Sequence, residues 1–308
     1  MRASGKMYRA LARFFTEVGP RLRFLRILRS RSSGRKAESM RYTEKLARRQ
    51  AEVGSRLCVG LDPRFDLIAE EPADFLRRVI EETAPFAAAF KPNIAYFEQL
   101  GSRGIQLLED VLDFIPPEVP VILDVKRSDI GETQKAYAAA YFEHLGVDAV
   151  TLNASLGFDT VEPWLGYAGK GLYLLAVTSN PGAGEISLQR VQSDGRYVFE
   201  HIQSMASRAA GRPADVGLVV GLTNAAENVL DLIEDLPLLV PGLGAQGGDI
   251  AALSAGRPRS APTVVNVSRG ILFAEPQKSF ADKAKHWAGL LPAGAAIRGR
   301  EAGASFVQ

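Results

Sequence analysis

Val119-Pro120-Val121-Ile122-Leu123-Asp124-Val125-Lys126-Arg127-Ser128-Asp129-Ile130-Gly131-Glu132-Thr133 sets an apolar run directly against a cluster of charge. The run before Asp124 has the composition of a buried strand, and the Ala- and aromatic-rich residues 136–145 read as a helix. Asp124, Lys126 and Asp129 therefore fall where a strand gives way to a helix. Side chains alternate along a strand with period two, so Asp124 and Lys126 face the same side. An isolated D-x-K-x-x-D also fits a solvated charge cluster with Asp129 as an N-cap. Its place at the end of an apolar strand favours a site instead, because parallel-sheet proteins gather their chemistry there.

The same pattern recurs on both sides of this stretch. Apolar residues 57–61 end at Asp62-Pro63, and 86–90 end at Lys91-Pro92-Asn93. Residues 148–152 end at Asn153, 172–177 at Thr178-Ser179-Asn180, and 216–220 at Gly221-Leu222-Thr223. The last two runs, 238–240 and 263–267, end at Pro241-Gly242 and at Ser268-Arg269-Gly270. Helical patterns cover residues 42–53, 74–82, 95–114, 161–167, 197–209, 225–233 and 277–291. In residues 95–114 the apolar face is Leu100, Leu107, Leu108, Val111 and Leu112. Continuous apolar strands alternating with helices indicate parallel βαβ units. Eight of them in about 250 residues predict an α/β fold of the (β/α)8 TIM-barrel type. The competitor, an open doubly wound sheet, lacks a G-x-G-x-x-G after the first strand. A barrel would bring the polar strand ends into one pocket.

Composition bounds the rest. The 308 residues carry a net charge of +2, unevenly spread. Residues 1–39 hold eleven of the 37 Lys/Arg and two of the 35 Asp/Glu, which leaves residues 40–308 with a net −7. The domain organisation read from this is a basic N-terminal extension (1–39), disordered or helical, a barrel domain (40–292) and a flexible tail (293–308). The extension suits a nucleic-acid arm, a membrane-surface helix or a transit peptide, and equally an appendage ahead of a natural start at Met40. No apolar run approaches the roughly 20 residues of a membrane span. Cys58 is the single cysteine, so no intrachain disulfide forms; one thiol is compatible with a cytoplasmic protein. Scattered His144, His201 and His286 offer no metal-ligand spacing, and no metal is expected.

The strand ends suggest a chemistry. Pro241 to Asp249 is a glycine-rich loop after strand seven, and Arg269 follows strand eight; in barrels these two loops commonly bind phosphate. Lys91, Asp124, Lys126 and Asp129 alternate in charge, and each lysine between carboxylates should stay protonated. A protonated lysine is a poor Schiff-base nucleophile and a good proton donor. A carboxylate set against an anionic substrate group favours loss of that charge. Decarboxylation fits both.

Six motifs, in this order, give the chain a resemblance to the orotidine 5′-phosphate decarboxylases over residues 41 to about 290: Leu61-Asp62-Pro63, Phe90-Lys91-Pro92-Asn93, Asp124 to Ile130 with Thr133, Thr178 to Ala183, Pro241 to Asp249, and Ser268-Arg269-Gly270. The K-R-x-D-I form and the G-A-Q-G-G-D loop resemble the bacterial type 2 subgroup. The resemblance implies a reaction from orotidine 5′-monophosphate (OMP) to UMP in pyrimidine biosynthesis, with no cofactor. It implies that Lys126 protonates C6, that Asp124 sits against the substrate carboxylate, and that Lys91 and Asp62 hold the ribose hydroxyls. Ser179 would bind the pyrimidine, and Gln246, Ser268 and Arg269 the phosphate, under a lid formed by residues 181–196. It further implies a homodimer in which Asp129 and Thr133 complete the partner's site. Asn180 departs from the polar residue many relatives carry. Two other readings compete: a magnesium-dependent sugar-phosphate enzyme of the same superfamily, and a silent barrel binding nucleic acid through its basic extension.

Overall fold

Eight short stretches of aliphatic residues form eight parallel strands, and six of them are buried along their whole length. The computed structural model describes residues 40–221, 229–242 and 259–293. The expectations for 1–39, for the start of the 225–233 helix, for Gln246 with its glycine-rich loop, and for the tail beyond 293 lie outside the described residues. In chain order the first half runs α1 (Tyr42–Val53), β1 (Leu57–Leu61), α2 (Pro72–Thr83), β2 (Ala89–Pro92), α3 (Ile94–Glu98), α4 (Ser102–Phe114), β3 (Ile122–Arg127), α5 (Gly131–Ala138) and β4 (Ala149–Leu152). The second half runs β5 (Gly171–Val177), α6 (Ala183–Ile186), α7 (Val198–Arg208), β6 (Asp215–Val220), α8 (Val229–Leu232), β7 (Leu238–Val240), β8 (Thr263–Val267), α9 (Arg269–Leu272) and α10 (Phe280–Leu290).

The strands pair in the order β2-β1-β8-β7-β6-β5-β4-β3. Parallel bridges from Phe90 to Val121 and from Asn93 to Asp124 link the two ends, β2 and β3, so the sheet wraps into the expected barrel. Period-two alternation divides the apolar residues into two cores. Leu57, Val59, Leu123, Val150, Leu172 and Leu218 point outward and pack under the helices. Cys58, Ala89, Ile122, Ala149, Tyr173, Val219, Leu239 and Val264 point inward and fill the barrel.

Helix α1 closes the N-terminal end. Its Tyr42 and Leu46 join the inner core, and the Tyr42 hydroxyl meets that of Tyr173 at 3.1 Å. Its outer edge is latched to the strand starts: Lys45 Nζ reaches Asp148 at 2.6 Å, while Asp215 accepts from Arg41 Nε at 2.7 Å and from the Thr43 amide at 2.9 Å. With one end plugged in this way, a ligand-sized opening is left at the other, the C-terminal end.

Four elements differ most from the sequence reading. The strand expected over 86–90 is Ala89–Pro92, preceded by a 3-10 turn, Ala84–Phe86, so Lys91 lies inside β2 rather than beyond its end. The helix expected over 95–114 is two helices, α3 and α4, separated at Gly101 (φ 62°). The helix expected at 161–167 is a pair of 3-10 turns, Phe158–Thr160 and Glu162–Trp164, in a segment broken up by Gly157, Pro163, Gly166 and Gly169. The helix expected from 136 begins earlier, at Gly131, and runs on as a π-helical stretch, Ala139–His144.

Candidate active site

The charged residues of β3 occupy a bulge. Ile122 and Leu123 pair with Ala149 and Val150, but the next partner of β4, Leu152, faces Arg127. Four steps on β3 therefore match two on β4, which throws the intervening residues out of register. Lys126 takes a left-handed conformation (φ 47°), which costs a non-glycine residue about 1–3 kcal/mol. The result turns its ammonium back onto Asp124: Lys126 Nζ lies 2.6 Å from Asp124 Oδ1. Same-side placement, expected from simple alternation, is here built by a distortion.

Asp124 is the hub. Its Oδ2 accepts from Lys91 Nζ at 3.0 Å and, at the long limit of 3.5 Å, from Asn93 Nδ2. Its Oδ1 accepts from Lys126 Nζ and from Thr151 Oγ1 at 2.9 Å. Burial would push the Asp124 carboxyl up, but Lys91 and then Lys126 outweigh it and hold the group well below the usual carboxylate range. Burial would likewise lower Lys91, only 4% exposed; attraction to Asp124 and then Asp62 prevails and keeps its ammonium above the ordinary lysine range. Beneath them, burial drives the Cys58 thiol up to about 12, so it stays neutral.

Among the described residues, Asp62, Lys91, Asp124, Lys126, Ser179, Ser268 and Arg269 line a single cavity of about 510 Å³ at the C-terminal end of the barrel. That volume suits a ligand of nucleotide size. Gly60 makes one wall possible: a Cβ there would stand 2.6 Å from the Cβ of Ser268 and 3.1 Å from Asn266 Oδ1. Three buried polar atoms of this wall, Asp62 Oδ1, Asn266 Oδ1 and Ser268 Oγ, have no hydrogen-bond partner among the described residues. Unpaired buried polar atoms are costly, and a polar ligand would satisfy them.

Asp129 and Thr133 stand apart. Neither lines the cavity; Asp129 is half-buried and Thr133 exposed at the start of α5. The N-cap of that helix is Ile130, not Asp129, whose Oδ1 accepts from the Ile130 amide at 2.8 Å. Asn153 also falls outside the cavity and turns to its own loop, accepting from the Ser155 amide at 3.1 Å. The sequence reading quoted Asn93 without giving it a role and missed Thr151 and Asn266; all three line the cavity. Alternation marks Thr151 and Asn266 as inward-facing, two residues from Ala149 and Val264, but neither ends a strand in charge. No group of three or more His, Cys, Asp and Glu side chains with metal-binding geometry occurs among the described residues.

Residues 55–284 match the family described as orotidine 5′-phosphate decarboxylase / HUMPS. An orotidine 5′-phosphate decarboxylase of Paracidovorax citrulli is 46% identical over 261 residues, covering 80% of this chain and 94% of that protein. Among solved structures, Leishmania donovani OMP decarboxylase superposes with a TM-score of 0.70 at 34% identity, covering 81% of this chain and 96% of that one. Leishmania donovani UMP synthase gives 0.73 at 37% identity; the match covers 81% of this chain and 55% of that longer protein. Identity of this extent, spread over the whole barrel and shared with proteins of the same fold, makes the chain a member of the orotidine 5′-phosphate decarboxylase / HUMPS family.

Proposed function

We propose that the chain converts OMP to UMP and carbon dioxide, with Lys126 as the proton donor. The observation that carries this reading is the Asp124 carboxylate held between two ammonium groups at the cavity floor. An ionised Asp124 beside the substrate carboxylate repels it, and departure of carbon dioxide relieves that repulsion. The C6–carboxylate bond breaks, its electron pair stays on C6, and Lys126 Nζ delivers a proton to that carbon. Solvent then returns a proton to Lys126, whose side chain is half exposed. Fixed charge aimed at the reacting centre is the means by which such a step is accelerated.

The rest of the cavity supports the same substrate. Lys91 and Asp62 are assigned to the ribose hydroxyls and Ser179 to the pyrimidine. Ser268 and Arg269, with Gln246 of the loop that follows β7 in sequence, are assigned to the phosphate, where a guanidinium gives a charged fork. Asp129 and Thr133 are assigned to the cavity of a second copy, a reading supported by their absence from the lining of their own cavity, with Asp129 half-buried and Thr133 exposed. Residues 181–196, which include α6, are assigned the part of a lid. Membership of the pyrimidine pathway follows from the substrate, and cytoplasmic location from the pathway.

The test is loss of OMP absorbance on addition of the purified full chain, with and without EDTA. Decay insensitive to EDTA is the expected result. No decay from a folded sample would sink the proposal, and decay abolished by EDTA would move the assignment to metal-dependent chemistry on the same scaffold.

A further inference from the structure

Thr151 has no part in the assignments above, yet it touches both halves of the proposed catalytic pair. It lies on β4 and is 1% exposed. Its Oγ1 receives the backbone N–H of Val125 and that of Lys126, each at 3.0 Å. A hydroxyl has two lone pairs and one proton, so both acceptor positions are used. The proton has one destination left, Asp124 Oδ1 at 2.9 Å, an ionised acceptor. The hydroxyl is thus fixed in orientation by the groups around it.

We propose that Thr151 is the positioning residue of this site, holding open the β3 bulge that turns Lys126 over Asp124 and fixing the Asp124 carboxylate. The bulge takes the Val125 and Lys126 amides out of the sheet ladder, and Thr151 gives them their acceptor. Without it two N–H groups lose the partner that keeps Lys126 left-handed. The same hydroxyl acts at the carboxylate. Once Lys126 has given its proton to the substrate, its attraction for Asp124 is gone, and Lys91 with Thr151 keeps the carboxylate in place. No other side chain bonds both to Asp124 and to the backbone of Lys126 among the described residues. The kinetic consequence rests on the decarboxylase reading; the geometric one does not.

Two pairs of proteins isolate the hydroxyl. Native Thr151 and Thr151→Val differ by hydroxyl against methyl at constant shape, and Thr151→Ser and Thr151→Ala differ by hydroxyl alone at smaller size. Turnover of OMP and crystal structures are measured for all four. The expected result is a fall in kcat of about 10²-fold for Val and Ala, the scale of a misplaced catalytic group, with KM changed far less. Ser should stay within about tenfold of native, because the hydroxyl is what matters. In the Val and Ala crystals Lys126 should leave the left-handed region or the Asp124 carboxylate should rotate; in Ser both should keep native geometry. The proposal fails if Val or Ala keeps kcat within about twofold of its hydroxyl-bearing partner. It fails equally if Lys126 and Asp124 are unmoved in their crystals. If Val does not fold, the Ser and Ala pair decides. If native protein leaves OMP untouched, the decarboxylase reading falls, and the crystal structures alone judge Thr151.

Discussion

Lys91 and Lys126 both bond to Asp124, but their surroundings give them different work. Lys91 is buried and Lys126 half exposed to the cavity, which suits the first to holding the carboxylate and, under the proposed function, the second to reaching a substrate. Lys126→Ala should lower kcat about 10²–10⁴-fold, the range of a general acid, while UMP still binds; calorimetric titration with UMP checks the second half. Arg269→Ala should mainly raise KM, about 10–10²-fold for a lost charge-assisted bond, and retain more turnover. Comparable loss of kcat in both would contradict these roles. Removing Lys91 leaves Asp124 buried with one counter-charge fewer, and Lys91→Ala should destabilise the fold by about 3 kcal/mol in urea unfolding. The pair also sets a pH window. The folded Asp124 value is depressed, so its contribution is present above the ordinary carboxylate range and is lost as pH falls through the folded value. The folded Lys91 value is raised, so its contribution is complete below the ordinary lysine range and is lost as pH rises through the folded value. Stability of the native chain should therefore decline at both extremes, and Asp124→Asn should flatten the acid limb.

At the scale of elements, strand ends were the legible part. Apolar runs closed by a polar residue or by Pro-Gly gave β1, β7 and β8 their observed bounds, and the strand-end rule picked out Asp62, Lys91, Asp124, Lys126, Ser179, Ser268 and Arg269. Thr151 was not legible, because its role comes from a register shift in the neighbouring strand, and no local pattern encodes that. The break between α3 and α4 was hidden for a similar reason. Apolar spacing runs straight through 95–114, but the chain turns at Gly101, and α4 begins so close to α3 that a Cβ on Gly104 would stand 1.7 Å from the Phe97 carbonyl oxygen. Only glycine fits there. The junction matters beyond packing, since Glu98 at the end of α3 pairs with Arg127 at the end of β3 at 2.6 Å. Gly104→Ala replaces a poor helix former with the best one, worth about 1 kcal/mol on propensity alone. The clash should reverse that sign and cost about 1–3 kcal/mol, read as a lower urea midpoint at unchanged slope. A more stable variant would show that the α3–α4 junction yields freely.

The whole molecule separates stability from chemistry along the barrel axis. Tyr42 and Leu46, with the ion pairs of Arg41 and Lys45, plug the N-terminal end, while the C-terminal end carries the cavity and, outside its lining among the described residues, the charged segment around Asp129. Asp129 and Thr133 belong to the same motif as Asp124 and Lys126, so their exclusion from the cavity calls for a second subunit if they act on substrate. Closed two-fold symmetry would then give two equivalent sites, each taking Lys126 from one chain and Asp129 from the other. This arrangement makes a sharp prediction for mixtures. Lys126→Ala and Asp129→Ala chains should each be inactive alone. Refolded together, half of the dimers are mixed, and each mixed dimer has one site with both lesions and one with neither. Activity should return to about a quarter of native at equal mixing. Sites built from single chains contain one lesion each in every pairing and recover nothing. The recovered fraction, measured by OMP turnover against mixing ratio, therefore decides whether the dimer is part of the catalytic machinery.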